Sequence, residues 1–169
     1  MISNNSVAPN NNQFLKTVFT HHLNRIYNGK CFLISSLDHL ITLASFKGLQ
    51  LAMEEFGADV KTQVVRMEEV YKLINETPVD LKYNPITNII MDEFCLEKNQ
   101  TVPVLNDLDI MLYVQLLEHV NITSYRMLIM IAKILKYGDA KQLLIENFDA
   151  SAENDKLFLL IAKEYITSD

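Results

Sequence analysis

The sequence predicts an all-α protein, an up-down four-helix bundle with one extra short helix between the two helix pairs. Three observations support this fold class. Apolar residues recur at steps of three and four along four long stretches, as on one face of a helix. No stretch shows the apolar–polar alternation of a half-buried strand. The 169 residues include only four glycines and four prolines, so few turns interrupt the long elements.

Composition and charge exclude several classes of protein. Hydrophobic residues make up 49% and charged residues 21% of the chain, as in an ordinary globular domain. The net charge of −6 disfavours nucleic acid or a membrane surface as a partner. The N-terminus lacks a signal-peptide pattern, and Cys31 and Cys95 match no metal-ligand spacing. We therefore expect a cytoplasmic protein with free thiols.

The first long helix is expected at 13–44, after a polar tail. Residues 1–12 are too polar to bury a core, so we expect a flexible tail followed by a single helical domain over 13–169. Lys30 interrupts the apolar face half-way, and the neighbouring Gly29 favours a kink or close packing. The predicted buried face consists of Phe19, Leu23, Ile26, Lys30, Leu33, Leu37, Leu40 and Ala44.

The second helix is expected at 49–75, followed by a loop and a short helix at 85–97 that contains Glu93. The connection between the first two helices is short, which is typical of antiparallel neighbours. Asp59 and Gln63 interrupt the apolar face near its middle. The predicted buried face consists of Leu49, Ala52, Phe56, Asp59, Gln63, Met67, Val70 and Ile74.

The central helix is expected at 105–135, with Asn106 or Asp107 as its N-cap. It would be roughly 45 Å long, a length that suits a bundle. Its face is apolar except at Gln115 and Glu118, half-way along. The predicted face consists of Leu108, Met111, Gln115, Glu118, Ile122, Tyr125, Ile129, Ala132 and Leu135. A carboxylate in the middle of a buried face is costly unless it has a partner.

The last helix, expected at 140–166, also has polar residues near its middle. Four long helices with this feature predict one shared buried layer. The expected members are Lys30, Asp59, Gln63, Gln115, Glu118 and Asn154. In a helix bundle this is the place of a carboxylate-bridged di-metal site, built from glutamates and Glu-x-x-His motifs.

The residues of this chain argue against such a metal site. No Glu-x-x-His motif is present, and a lysine ammonium would repel a metal ion. We therefore expect a self-satisfied polar cluster, with no catalytic residue, no cofactor and no metal. The alternative is a reduced iron or manganese site built from Asp59, Glu93, Glu118 and His119.

Two arrangements of Lys30 are compatible with the sequence. In the first, its ammonium takes the place of the metals and pairs with Asp59 and Glu118. In the second, only the stem is buried and the ammonium reaches solvent at the edge of the bundle. His119 diverges from Glu118 by about 100° around the helix, and we expect it in the interior or at an interface.

Two motifs carry a family resemblance. The first consists of Asp107, Gln115, Glu118-His119, Ile122 and Ser124-Tyr125. The second is Gln63-x-x-Arg66-x-Glu68-x-Val70, and a pair of acids follows at Asp92-Glu93. Together they resemble the bacterial ferritin-like family once called domain of unknown function 892, the YciE/YciF-like stress proteins, over about 13–166. The resemblance implies a ferritin-like fold, a homodimer and a loose link to stress physiology.

The chain departs from the family pattern at several expected metal ligands. Lys30 stands where the family usually has an acid, and Asn121 where a glutamate is common. Phe56, Asp59, Val60 and Gln63 replace a His-x-x-Glu-Thr-x-x-Gln pattern, and Ala150-Ser151 replace consecutive glutamates. Ferroxidase chemistry is therefore not carried over. The leading expectation is a non-enzymatic, self-associating structural or interaction protein, and the alternative is a metal-binding oxidase or iron-handling protein.

Overall fold

A computed structural model describes residues 11–81 and 83–167, with the side chain of Cys95 left out. These residues form helices and their connections, without strands, which confirms the all-α ferritin-like fold class. The helices are α1 (Asn11–Leu43), α2 (Lys47–Leu73), α3 (Pro85–Met91), α4 (Pro103–Ile134) and α5 (Gly138–Thr167), with a 3-10 turn at Glu93–Cys95. α1 packs on α2 and α4, and α5 packs on the same two helices.

Helix boundaries differ from the predicted ones by a few residues. α1 begins at Asn11, so Asn11 and Asn12 belong to the helix and not to the polar tail. The remainder of the predicted tail, 1–10, lies outside the described residues. The short helix ends at Met91, earlier than predicted, and Glu93 and Phe94 follow with positive φ angles of 47° and 53°.

Two apolar clusters fill the bundle, one toward each end. The first includes Leu33, Phe56, Leu117 and Phe158. The second includes Ile26, Met67, Tyr125 and Leu144. In all four long helices the change from one cluster to the other falls at the polar residues half-way along. The polar positions of the four helices therefore lie at one level of the bundle, between two hydrophobic cores.

The spacing of apolar residues predicted the buried face of α1 correctly but not that of α4. Among the predicted face residues of α1, all those within the helix are buried. On α4 the predicted Gln115 and Ile122 are only partly buried, whereas Val114 and Leu128 are fully buried. α4 has apolar residues on every side, including the exposed Leu112. Its hydrophobic pattern therefore does not mark the centre of the buried face.

Gly29 permits the close approach of α3 to α1. A Cβ atom added at Gly29 would lie 2.5 Å from Cγ2 and 2.8 Å from Cβ of Ile86, the second residue of α3. Asn84 holds α3 in place, since its side chain accepts a hydrogen bond from the Ile86 amide and donates one to the Arg25 carbonyl at 2.8 Å. The expectation of close packing at Gly29 agrees with this contact.

Replacing Gly29 with alanine is expected to destabilise the protein, although alanine is the better helix former by about 1 kcal/mol. The new methyl group would overlap a β-branched side chain near its backbone, and overpacking of this kind costs about 1–3 kcal/mol. Urea denaturation would measure the change. Gly138→Ala is the matched control, because a Cβ added there meets nothing within 4 Å. A Gly29→Ala variant as stable as the parent would contradict the packing argument.

Candidate functional site: a buried polar layer

The centre of the bundle contains a buried ion pair. Lys30 of α1 is 1% exposed and Glu118 of α4 is 0% exposed, and Lys30 Nζ lies 3.6 Å from Glu118 Oε1. Asn121 Nδ2 donates to the same carboxylate oxygen at 2.9 Å. Burial lowers the pKa of Lys30, and the Glu118 carboxylate acts against that shift. Of the two arrangements compatible with the sequence, the structure has the buried ammonium, which pairs with Glu118 but not with the predicted second partner Asp59.

A second set of contacts joins α2, α4 and α5 around Gln63. Its Oε1 accepts hydrogen bonds from the Tyr125 hydroxyl and the Ser151 hydroxyl, both at 3.4 Å. Its backbone carbonyl accepts one from Asn147 Nδ2 at 3.1 Å. The Tyr125 ring links this set to the ion pair, because its centroid lies 5.9 Å from Lys30 Nζ. Side chains from all four long helices therefore form one buried polar layer.

Four of the six predicted members lie in this layer, and two do not. Lys30, Gln63, Glu118 and Asn154 are buried. Asp59 is only partly buried, and the assignment of Asp59 to the layer is corrected, because Val60 occupies the buried position of α2. The partly buried Gln115 donates instead to the Met111 carbonyl of its own helix at 3.2 Å.

Three further polar residues belong to the layer and were missing from the predicted set. They are the buried Asn121, Asn147 and Ser151. Each lies three or four residues from another member of the layer on the same helix. Asn121 and Ser151 lie one turn from the predicted members Glu118 and Asn154, and Asn147 lies one turn further along the predicted face of the last helix, since residues at that spacing share a helix face.

The four candidate metal ligands do not come together. Glu118 faces the Lys30 ammonium, whereas His119 has a side chain 66% exposed, with its Nε2 3.1 Å from Asp155 Oδ1. Glu93 pairs with His39 at 3.2 Å on the surface. His119 is therefore a surface residue of this chain and not an interior one. Among residues 11–81 and 83–167, no group of three or more His, Cys, Asp or Glu could hold a metal ion.

The residues of the layer do not fit a di-metal centre. In addition, some of their buried polar atoms find no hydrogen-bond partner within the layer. One carboxylate, one ammonium and several amides provide too few anionic donors for two metal ions. Several buried polar atoms have no hydrogen-bond partner among the described residues, which corrects the expectation that every acceptor finds a donor. They are Lys30 Nζ, Gln63 Nε2, Glu118 Oε2, Asn121 Oδ1, Asn147 Oδ1 and Asn154 Nδ2.

A separate carboxylate joins three chain segments at one end of the bundle. Asp107 is 0% exposed and accepts hydrogen bonds from the Ser45 amide at 2.7 Å, the Ser45 hydroxyl at 2.6 Å and the Tyr165 hydroxyl at 2.8 Å. α4 begins earlier, at Pro103, so Asp107 is not its N-cap. Asp107, a residue of the family motif, thus has a structural role: it joins the α1–α2 connection, α4 and α5.

The tyrosines are expected to limit stability at alkaline pH. Burial raises the pKa of Tyr27 to about 12, and it also raises the pKa values of Tyr71 and Tyr125. The folded chain then holds protons that the unfolded chain releases near pH 10, so stability falls as the pH rises above about 10. Tyr165 and Cys31 also have raised pKa values and act in the same direction as these tyrosines, whereas the lowered pKa of Lys30 acts in the opposite direction.

Parallel titrations followed by tyrosinate absorbance and by circular dichroism would test this expectation. Ionisation of the buried tyrosines should be delayed and should coincide with the loss of helix. Tyr71→Phe should remove one tyrosine from the delayed phase. Complete ionisation near pH 10 with native helix content would contradict the argument.

A family model described as a domain of unknown function, DUF892, matches residues 14–169. The solved structure of the Escherichia coli stress protein YciF superposes on this chain with a TM-score of 0.83. The two sequences are 22% identical, and the match covers 92% of this chain and 98% of the YciF chain. YcfI from Rhodopseudomonas palustris, which has been proposed to be a structural protein, is 19% identical over 93% and 97%, with a TM-score of 0.78. No curated protein matches significantly.

Within the described part of the chain, no helix combines the length and the apolar character that crossing a bilayer requires.

Proposed function

The chain belongs to the family of domain of unknown function 892, as its motifs predicted, and from this premise we propose that it is a non-enzymatic bundle protein whose di-metal centre has been replaced by an ion pair. The observation that carries the proposal is the Lys30 ammonium, buried 3.6 Å from Glu118 half-way along the bundle. A fixed positive charge in this position repels a divalent ion from the same volume. The amides around the pair are neutral and offer no compensating negative charge.

The proposed role is structural, through self-association in the cytoplasm, with a loose link to the stress response. The support lies on the outer surface of the α4–α5 pair, which we call the α4–α5 face. It includes the exposed Leu112 and Leu116 of α4, Met130 further along the same helix, and Leu159 of α5. Between Leu116 and Met130 the exposed positions of α4 are polar, with His119 paired to Asp155 of α5. Apolar side chains of this size on one face favour contact with another protein surface.

A groove on the same face favours a second copy of this chain as the partner. It is lined by Arg126, Ile129, Met130, Ile145, Phe148 and Asp149. Its floor is apolar, and it carries one cation and one anion. If the two-fold axis passes through this groove between the two copies, Arg126 of one copy can pair with Asp149 of the other, and symmetric dimers have self-complementary contacts of this kind. We therefore propose a homodimer formed through this face.

Iron loading tests the loss of the metal centre. Purified protein is given ferrous iron under air, and bound iron and oxygen uptake are measured. The proposal predicts no stoichiometric iron and no oxygen uptake above a protein-free control. Two irons per chain with oxygen uptake, both abolished in Glu118→Gln, would overturn it and favour the oxidase or iron-handling alternative. If the parent and Glu118→Gln retain equal amounts of iron and neither takes up oxygen, that iron lies outside the layer. This outcome agrees with the proposal.

Sedimentation equilibrium tests the proposed dimer. Met130→Glu should weaken association at least tenfold, because it places a carboxylate against an apolar contact and a buried unpaired charge is costly. Val65→Glu is the matched control: Val65 is an exposed apolar residue on α2, away from this face, and its exposure of 64% is close to the 61% of Met130. A parent protein that is monomeric at all concentrations, or equal effects of the two substitutions, would contradict the proposed interface.

A further inference from the structure

The unpartnered atoms of the polar layer are divided equally between donors and acceptors. Lys30 Nζ, Gln63 Nε2 and Asn154 Nδ2 can donate hydrogen bonds. Glu118 Oε2, Asn121 Oδ1 and Asn147 Oδ1 can accept them. All six residues are at most 2% exposed. A buried polar atom without a hydrogen-bond partner is destabilising, and of these six only Lys30 Nζ has a compensating ion-pair contact, with Glu118.

Five of the six atoms belong to one connected set of side chains, and the sixth, on Asn154, lies one helical turn from that set. Lys30 and Asn121 both approach Glu118 Oε1, at 3.6 and 2.9 Å. Asn147 donates to the Gln63 carbonyl, and Asn154 lies one turn beyond Ser151, which donates to Gln63 Oε1. The Tyr125 ring, 5.9 Å from Lys30 Nζ, lies between the two halves of the layer. The unpartnered atoms therefore surround the level at which the two apolar cores are separated.

The charges of the layer select the kind of molecule that could satisfy these atoms. A cation would meet the Lys30 ammonium, and an anion would meet the Glu118 carboxylate. The two charges cancel, so neither sign of ion is favoured in this volume. A neutral molecule that both donates and accepts hydrogen bonds matches the equal numbers of acceptors and donors, and water is the smallest such molecule.

We propose that the polar layer is a binding site for ordered water, which occupies the level of the bundle where a di-metal site would lie. Buried waters typically make about three hydrogen bonds each, so six unpartnered atoms correspond to about two water molecules. The waters link Lys30 and Glu118 to the amides of Asn121, Asn147 and Asn154. They solvate the ion pair inside the core, and this allows both charges to remain buried. The inference rests on the proposed function, because it assumes that no metal occupies the layer.

Nuclear magnetic resonance can detect such water in the intact protein. The side-chain amide protons of Asn121 and Asn154 should show cross-relaxation with water of the sign that marks long-lived binding. The exposed Asn88 on α3 is the matched control and should show only the behaviour of surface hydration. Asn154→Leu removes one donor, and the signal at the Asn121 amide should fall at least twofold. The parent measurement stands without this variant if the variant does not fold.

A crystal structure with anomalous data separates failure of this inference from failure of the proposed function. Density for water at about 2.7–3.2 Å from the unpartnered atoms would support the inference. A dry layer, with the amides turned to bond one another and no long-lived water signal, would overturn it and leave the proposed function intact. An anomalous peak bridged by Glu118, with Lys30 turned away, would overturn both.

Discussion

Replacing Lys30 with methionine is expected to lower the free energy of unfolding by about 3–5 kcal/mol, because Glu118 then remains buried without its charged partner. Methionine has nearly the same length as lysine, so the loss reflects charge more than volume. Glu118 would keep its hydrogen bond from Asn121 at 2.9 Å, which is too little to offset the burial of a carboxylate. Urea denaturation near neutral pH, analysed as a two-state transition, measures the effect.

The double variant Lys30→Met/Glu118→Leu is the decisive control. Removing both charges replaces a buried ion pair with apolar side chains, and such replacements are often neutral or stabilising by about 1–4 kcal/mol. Most of the single-variant loss should therefore be recovered. A Lys30→Met loss below about 1 kcal/mol would contradict a buried, charged pair.

Replacing Asp107 with alanine is expected to cost about 3 kcal/mol or more. Three donors lose their acceptor: the Ser45 amide, the Ser45 hydroxyl and the Tyr165 hydroxyl. Hydrogen bonds to a charged group contribute about 1.5–3 kcal/mol each, although losses at one residue are not additive. The effect should be measured by chemical denaturation. The end of α5 should also lose protection in hydrogen exchange, because its contact through Tyr165 is broken.

Two further variants provide reference values for the loss of stability in Asp107→Ala. Tyr165→Phe removes one of the three bonds and should cost about 1 kcal/mol. Asp109→Ala changes a partly buried aspartate two positions further along α4 and should stay within about 0.5 kcal/mol of the parent. If Asp107→Ala costs no more than Tyr165→Phe, Asp107 does not hold the three segments together.

The sequence by itself determined the number of helices in this protein and the level at which their polar residues meet. Spacing at three and four identified four long helices and a short one, and the polar residues half-way along each helix predicted a shared layer. The motif around Glu118 and His119 predicted the family. The absence of Glu-x-x-His, together with Lys30 in an otherwise apolar face, argues against metal chemistry from the sequence alone. These signals are available because helical periodicity depends only on the local chain.

The tertiary structure alone decided which polar side chains meet. α4 has apolar residues on every side, so only its packing against α1 and α5 shows that Val114 and Asn121 face inward while Gln115 lies at the margin. The buried state of Lys30 depended in the same way on the packing of α1 against α2 and α4, which places Glu118 and Tyr125 of α4 beside its ammonium. Rotating a helix by one residue moves a side chain by about 100°, and hydrophobic spacing cannot resolve that angle when apolar residues surround the helix. The packing of the helices fixes this angle, and it therefore decides which side chains form the buried polar layer.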